Sequence, residues 1–217
     1  MMSKTIKYLG VLVTLFWFAS NACAQDAKTA LAALQSHWAD ATYSLTDDAK
    51  EKAFDRLLEE ANVAVEQYPD VPEILIWSGI IQSSYAGVEG GLGALKYVRR
   101  SREALERALE LDDQALDGSA YTSLGALYYK VPGWPLSFGD DDKAEALLKQ
   151  ALSMNPDGID PNYFFGEFLW EEGRYAEAMA HLEKALQAQP RPGRELADNG
   201  RKQEIMTLMS EVKAQLN

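Results

Sequence analysis

Three arginines near the C-terminal end, Arg191, Arg194 and Arg201, are the residues of this chain best equipped for recognition chemistry. A guanidinium presents a planar fork of donors that grips a carboxylate through two hydrogen bonds. In an acidic chain such a cluster has two uses. It holds an organic-acid ligand or an acidic patch of a partner, or it pairs with local carboxylates such as Glu195 and Asp198. The second concentration is aromatic. Tyr128, Tyr129, Trp134 and Phe138 stand in and beside Val131-Pro132-Gly133-Trp134-Pro135-Leu136-Ser137-Phe138-Gly139, a stretch whose prolines and glycines forbid a helix. Such rings either pin the loop to the helices or anchor a partner, since interfaces are rich in Trp and Tyr. In the run Tyr163, Phe164, Phe165 and Phe168, the phenylalanines suit a core. Tyr163 is the member fitted to face a groove, because its hydroxyl wants a polar neighbour. A further basic group, Arg99, Arg100, Arg102 and Arg107, spreads around its helix and reads as solvated.

No catalytic constellation accompanies these residues. The two histidines, His37 and His181, fall on separate helices without the spacing of a metal pair. There is no nucleophile elbow and no phosphate-binding glycine loop followed by Lys-Ser/Thr. Gly91-x-Gly93 follows a helix rather than a strand, which argues against a dinucleotide site. Asp140-Asp141-Asp142 reads as a helix cap with acidic residues in the first turn, not as a cation site. The expectation is a protein that is not an enzyme, with no cofactor and no metal.

The elements that must position these groups are helical. From Ala27 to Ala41 the apolar residues Leu31, Leu34 and Trp38 share a face. A second helix opens at Asp47-Asp48 and stops before Pro69. A third starts near Pro72 and gives way to a glycine-rich segment from Ala86 to Gly93. Further helices are predicted from about Ala94 to Leu111, Leu116 to Lys130, Asp140 to Met154, Asp160 to Gly173, Tyr175 to Ala188 and Asp198 to Leu216, with Asp160 and Pro161 expected as the N-cap and first helical residue of the helix they open.

Within this series a pattern recurs. Ala144, Leu148, Ala151 and Pro156 are followed, each 34 positions later, by Ala178, Leu182, Ala185 and Pro190. A period of 34 with small residues, a bulky apolar residue and a closing proline is the mark of a helix–turn–helix repeat. Small residues let paired helices approach closely, and one pair cannot bury both faces, so the units must stack. Ala64, Ala108, Leu124-Gly125 and Gly166 extend the logic backwards. This resembles the tetratricopeptide repeat. The fold expected is an all-α, tetratricopeptide-like helix–turn–helix solenoid of about four units between Asp47 and Pro190, plus a C-terminal capping helix. The segments Ala86–Gly93 and Val131–Gly139 lengthen the array, and insertions of this kind usually gather on one, often binding, face.

Lys4 and Lys7, an apolar run from Tyr8 to Ala19 and the small residues Ala22-Cys23-Ala24 have the form of an export signal. The run is too short for a membrane span of ~20 residues. The division expected is a signal peptide over 1–24 and a helical-repeat domain over 25–217, placing the protein in the periplasm. Cys23 leaves a second reading, a lipid anchor to the envelope, although Ser20 does not fit a lipidation motif. If Cys23 leaves with the signal, no cysteine remains, because the chain has one. The 217 residues carry 21 basic and 33 acidic side chains, a net charge of −12. That balance argues against nucleic acid, whose affinity comes from phosphate neutralisation, and against charge-driven binding to an anionic membrane.

The stretches Pro132–Asp140, Tyr163–Leu169 and Pro190–Asp198 are together similar to the T component associated with some TRAP-type transporters. The resemblance is densest from Tyr121 to the end. It implies an exported repeat protein working beside a periplasmic solute-binding protein, with self-association into a homo-oligomer and an apolar channel or cleft for a ligand. The expected role is a non-enzymatic binding or scaffold protein with a protein partner, a small apolar or acidic ligand, or both. The alternative is a cell-envelope assembly scaffold unrelated to solute transport.

Overall fold

The computed structural model describes residues 24–216 with their side chains, and of 5–23 the backbone alone. The side chains of the export segment and of Cys23, on which the export and lipidation readings rest, lie outside what is described. The helices are α1 (Thr5–Tyr43), α2 (Asp47–Gln67), α3 (Pro72–Glu89), α4 (Ala94–Leu111), α5 (Ser119–Lys130), α6 (Asp141–Met154), α7 (Ile159–Glu171), α8 (Tyr175–Leu186) and α9 (Glu195–Leu216). No strand occurs among the described residues, and none of their helices is long and apolar enough to cross a membrane.

The helices pair as antiparallel hairpins, α1 with α2, α3 with α4, α5 with α6 and α7 with α8, and α9 packs on α8 and α7. The first helices of successive pairs also touch, α1 to α3, α3 to α5 and α5 to α7. They form an inner layer, with α2, α4, α6 and α8 outside. This is the all-α, tetratricopeptide-like solenoid expected, with four hairpins and a capping helix. One boundary moves: the first unit begins with α1 rather than at Asp47. The residues that carried the 34-residue pattern, Ala144, Leu148, Ala151, Ala178, Leu182 and Ala185, are all fully buried.

The reason for the small residues is visible within the pairs. A Cβ built on Gly79, Gly125 or Gly166 would lie 2.6–2.9 Å from the Cγ of Leu105, Leu148 or Leu182 on the second helix of the same pair. Three of the four hairpins, α3–α4, α5–α6 and α7–α8, therefore close on a Gly–Leu contact that no larger residue allows without movement.

Three predicted boundaries shift. The glycine-rich insertion is shorter than Ala86–Gly93, because α3 continues to Glu89 with Ala86 buried. It ends at Gly90, whose φ of 66° suits glycine, and a single 3-10 turn, Gly91–Gly93, leads into α4. The fifth helix starts at Ser119, not Leu116. Leu116 and Asp117 adopt left-handed φ of 50° and 54°, which breaks the helix there. The last helix starts at Glu195 rather than Asp198. Asp140, by contrast, caps α6 as expected, its carboxylate accepting the Lys143 backbone N–H at 3.0 Å.

Asn162, absent from the sequence reasoning, ties one connection down. It is fully buried. Its amide donates to the carbonyls of Pro156 at 2.8 Å and Gly158 at 2.9 Å, holding the α6–α7 turn. Its carbonyl lies 3.0 Å from His181 Nδ1 on α8. Burial first and Lys184 second lower the His181 pKa, which favours the neutral ring. Asn162→Ala would strand the Pro156 carbonyl, leave the Gly158 carbonyl with only the long 3.4 Å bond from the backbone N–H of residue 162, and open a void. The expected loss is about 2–3 kcal/mol, read as a shift in the urea midpoint. A shift under about 0.5 kcal/mol would show that the turn holds without it.

Candidate functional site

The inner layer encloses a cleft of about 930 Å³. Its floor comes from α1, α3 and α5, and its walls from the two insertions, the α6–α7 turn and the loop between α8 and α9. Most of the lining is apolar. Trp38, Trp77, Ile80, Val98, Ala126 and Phe164 represent it well. A volume of this size is that of sites taking small ligands, typically ~300–1,000 Å³.

The first and last helices close the cleft at one end. Tyr43 at the end of α1 sits against Gly200 of α9, where any Cβ would overlap its ring. Its hydroxyl lies 3.4 Å from Glu204 Oε2, and burial foremost pushes its pKa up to about 12. Tyr43 packs edge-on to Trp38 at 5.7 Å, and Trp38 packs edge-on to Trp77 at 5.6 Å. The Trp38 indole N–H donates to Ser84 Oγ at 2.9 Å. These rings form one connected aromatic group on the cleft lining.

Beside it stands a charged cluster centred on Asp160. Sequence reasoning placed Asp160 at the N-cap of α7. Gly158 takes that position, and Asp160 instead turns its carboxylate to two arginines. Arg191 donates to Asp160 Oδ2 at 2.6 Å and Arg201 to Oδ1 at 3.0 Å. Arg191 also donates to Asp198 through its side chain at 2.7 Å and its backbone N–H at 2.8 Å. Arg201 completes its set with Glu204 at 2.6 Å. Burial would raise the Asp160 pKa, but Arg201 and Arg191 outweigh it, and the net shift is downward. Glu195, the other carboxylate suggested by sequence, accepts the Gly193 N–H at 3.2 Å instead.

Arg194 differs from its neighbours. Its guanidinium lies 4.7 Å over the Trp77 ring. Its Nε is buried with no hydrogen-bond partner, and among the described residues no carboxylate forms an ion pair with it. Burial first and Arg191 second lower its pKa.

Of the residues singled out from sequence, Arg191, Arg194 and Arg201 line the cleft together. The aromatic group divides. Tyr128 and Tyr129 are buried, with the Tyr128 hydroxyl taking a hydrogen bond from Lys143 at 2.5 Å and the Tyr129 hydroxyl donating to Glu167 at 2.6 Å. Phe138 packs against Tyr128 at 5.3 Å under the Arg102 guanidinium, so Arg102 is not simply solvated. Tyr163 is buried beneath Arg201, whose guanidinium lies 4.3 Å over its ring, and it does not reach the cleft lining. Trp134 is 89% exposed and Leu136 58% exposed. Leu136 lines the cleft, and Trp134 stands two residues away on the same loop.

That loop is held at its base. Gly139 donates to the Pro132 carbonyl at 3.1 Å and Asp140 to the Tyr128 carbonyl at 2.9 Å. A Cβ at Gly139 would collide with the Val131 carbonyl. The loop is therefore fixed at its ends by Phe138 and these hydrogen bonds, while Trp134 stays in water. Sequence reasoning missed Trp38, Tyr43 and Trp77 as cleft residues. Each falls on an apolar helical stripe, and periodicity alone does not separate a stripe facing a core from one facing a cleft.

Among the described residues no cluster of His, Cys, Asp and Glu could hold a metal ion. The arrangement offers an apolar hollow, a guanidinium and exposed leucines, Leu92 and Leu136, in the lining. Residues 136–197, from the Trp134 loop through α8 to the arginine loop, match the family model of the tetratricopeptide repeat. Repeats of this type suggest a scaffold for protein–protein interaction. A solved structure similar to this chain is a thermophilic TPR protein of Thermus thermophilus. It is 20% identical, the match covers 72% of this chain and 92% of that one, and the TM-score is 0.40. No curated protein matches the chain.

Proposed function

We propose that this protein is an exported, non-catalytic scaffold that works beside a periplasmic solute-binding protein, in the manner of the T component of TRAP-type transporters. The observation that carries a binding role is the open apolar cleft lined in part by the exposed residues Leu92 and Leu136, with exposed Trp134 two residues from Leu136 on the same loop. Exposed apolar residues gathered at one rim cost solubility and are the usual mark of a contact surface. The repeat match over 136–197 supports a protein partner. The leader supports export, and the transporter association rests on the resemblance of the Pro132, Tyr163 and Pro190 segments.

The tagged full-length protein, purified under mild conditions from the periplasm, is expected to bring down a solute-binding protein identified by mass spectrometry. Trp134→Ala combined with Leu136→Ser is expected to weaken that capture at least about tenfold without changing the melting temperature, as for a central interface anchor. Recovery of only envelope-assembly components would replace the transporter role. Unchanged capture by the double variant would move the contact away from this rim.

A further inference from the structure

We propose that the cleft takes a small apolar monocarboxylate, with its carboxylate on Arg194 and its hydrocarbon body against Trp77, Ile80, Val98 and Ala126. This rests on the reading of the cleft as a binding surface and names what enters it.

The lining holds four cations, Lys130, Arg191, Arg194 and Arg201. Three are satisfied within the chain. Lys130 pairs with Glu167 at 2.8 Å, Arg191 with Asp160 and Asp198, and Arg201 with Asp160 and Glu204. Among the described residues Arg194 alone of the four lacks a carboxylate, and its Nε is an unpartnered donor inside the protein. Arg194 is only partly buried and lines the cleft, so an incoming carboxylate reaches its guanidinium through the N–H groups beyond Nε. The Trp77 ring, 4.7 Å from the guanidinium carbon, attracts the cation and helps to hold it at the cleft.

Charge sets the ligand's valence. Asp160, Asp198 and Glu204 are all taken up by Arg191 and Arg201, which leaves Arg194 as the single cation open to a ligand. One guanidinium pairs with one carboxylate, whereas the second charge of a phosphate dianion or a dicarboxylate would find no cation and would face these acidic groups. The apolar lining adjoining Arg194 sets the body of the ligand. The prolines and glycine of Pro190-Arg191-Pro192-Gly193 and the double anchoring of Arg191 hold the Arg194 backbone in place, so the site is built before the ligand arrives.

Calorimetric titration of the full exported chain at pH 8 with decanoate and with decanol tests this. Decanoate is expected to bind at least about tenfold more tightly, the effect of one charged hydrogen bond. Arg194→Gln is expected to bring decanoate down to the decanol affinity while leaving decanol unchanged, and Arg194→Lys to restore part of the difference. Equal binding of the two probes to the unaltered protein would overturn the carboxylate site and leave the apolar cleft standing. That comparison needs no variant, so it decides even if Arg194→Gln folds poorly. Absence of binding by either probe would also overturn the proposal, while the capture of a solute-binding protein would stand or fall separately.

Discussion

Asp160→Asn is expected to destabilise the protein by about 2–3 kcal/mol, although it changes one atom and leaves the shape of the side chain intact. Asp160 is the shared partner of Arg191 and Arg201, at 2.6 and 3.0 Å. Arg201 is only 10% exposed, so losing the countercharge leaves a cation with little water to replace it. Asp160 itself is 30% exposed, and solvent screening keeps the cost below that of a fully buried pair. For a chain of this size the melting temperature should fall by roughly 5–10 °C. A fall under about 1 °C would mean that Asp198 and Glu204 carry the arginines alone.

The same variant has a signature in pH. The Asp160 pKa is lowered in the folded protein, after the opposing effect of burial, by Arg201 and Arg191. A lowered carboxyl stabilises above its unfolded value of ~3.9 and loses that contribution as pH falls through the lower folded value. The stability gap between the natural protein and Asp160→Asn should therefore be flat from pH 8 to about 5 and shrink below about 4. Urea melts across that range measure it. A gap that grows in acid would contradict an ionised Asp160. The network also reaches the proposed ligand site. Arg191 is fixed by Asp160 and Asp198 on the loop that carries Arg194, so the variant should weaken decanoate binding as well as folding.

The sequence made the scaffold legible because its repeat is written in residues that touch each other. Ala144, Leu148 and Ala151 recur as Ala178, Leu182 and Ala185, and both triplets are buried between the paired helices. The cleft was legible only at its charged end. The arginines stood out because Arg191, Arg194 and Arg201 gather within a short stretch of this acidic chain, whereas Trp38, Tyr43 and Trp77 share the periodicity of core residues. Asp160 was misread because an Asp before a Pro at a helix start looks like a cap, and the competing arginines lie 31 and 41 residues away in sequence. The reverse error fell on Tyr163. Its hydroxyl does need a polar neighbour, but Glu167 one turn along its own helix lies 3.4 Å away, so no groove is required. Local rules missed what a distant charge, or a near one, could satisfy.

Leu148→Ala is expected to cost about 2–5 kcal/mol and Gly125→Ala about 1–3 kcal/mol, yet the double variant should cost less than their sum. The first opens a cavity at a fully buried site. The second adds a Cβ that would stand 2.6 Å from Leu148 Cγ, 2.9 Å from Cδ2 and 3.3 Å from the Leu148 backbone N, forcing α5 and α6 apart. Together, the new methyl group enters the space that the leucine vacates, and only the backbone contact remains tight. A coupling of at least about 1 kcal/mol is expected from a denaturant-melt cycle. Strict additivity would mean that the two residues do not share a contact, and the close approach would lose its role in pairing. The same contact recurs as Gly79 with Leu105 and Gly166 with Leu182, although the turns between the partners differ in length. The Gly90–Gly93 turn and the Val131–Asp140 loop lie between the paired helices in sequence, so they can lengthen without disturbing the seam. This freedom lets the second and third units carry apolar residues such as Leu92 and Leu136 to the cleft while the helices that support them keep one packing rule.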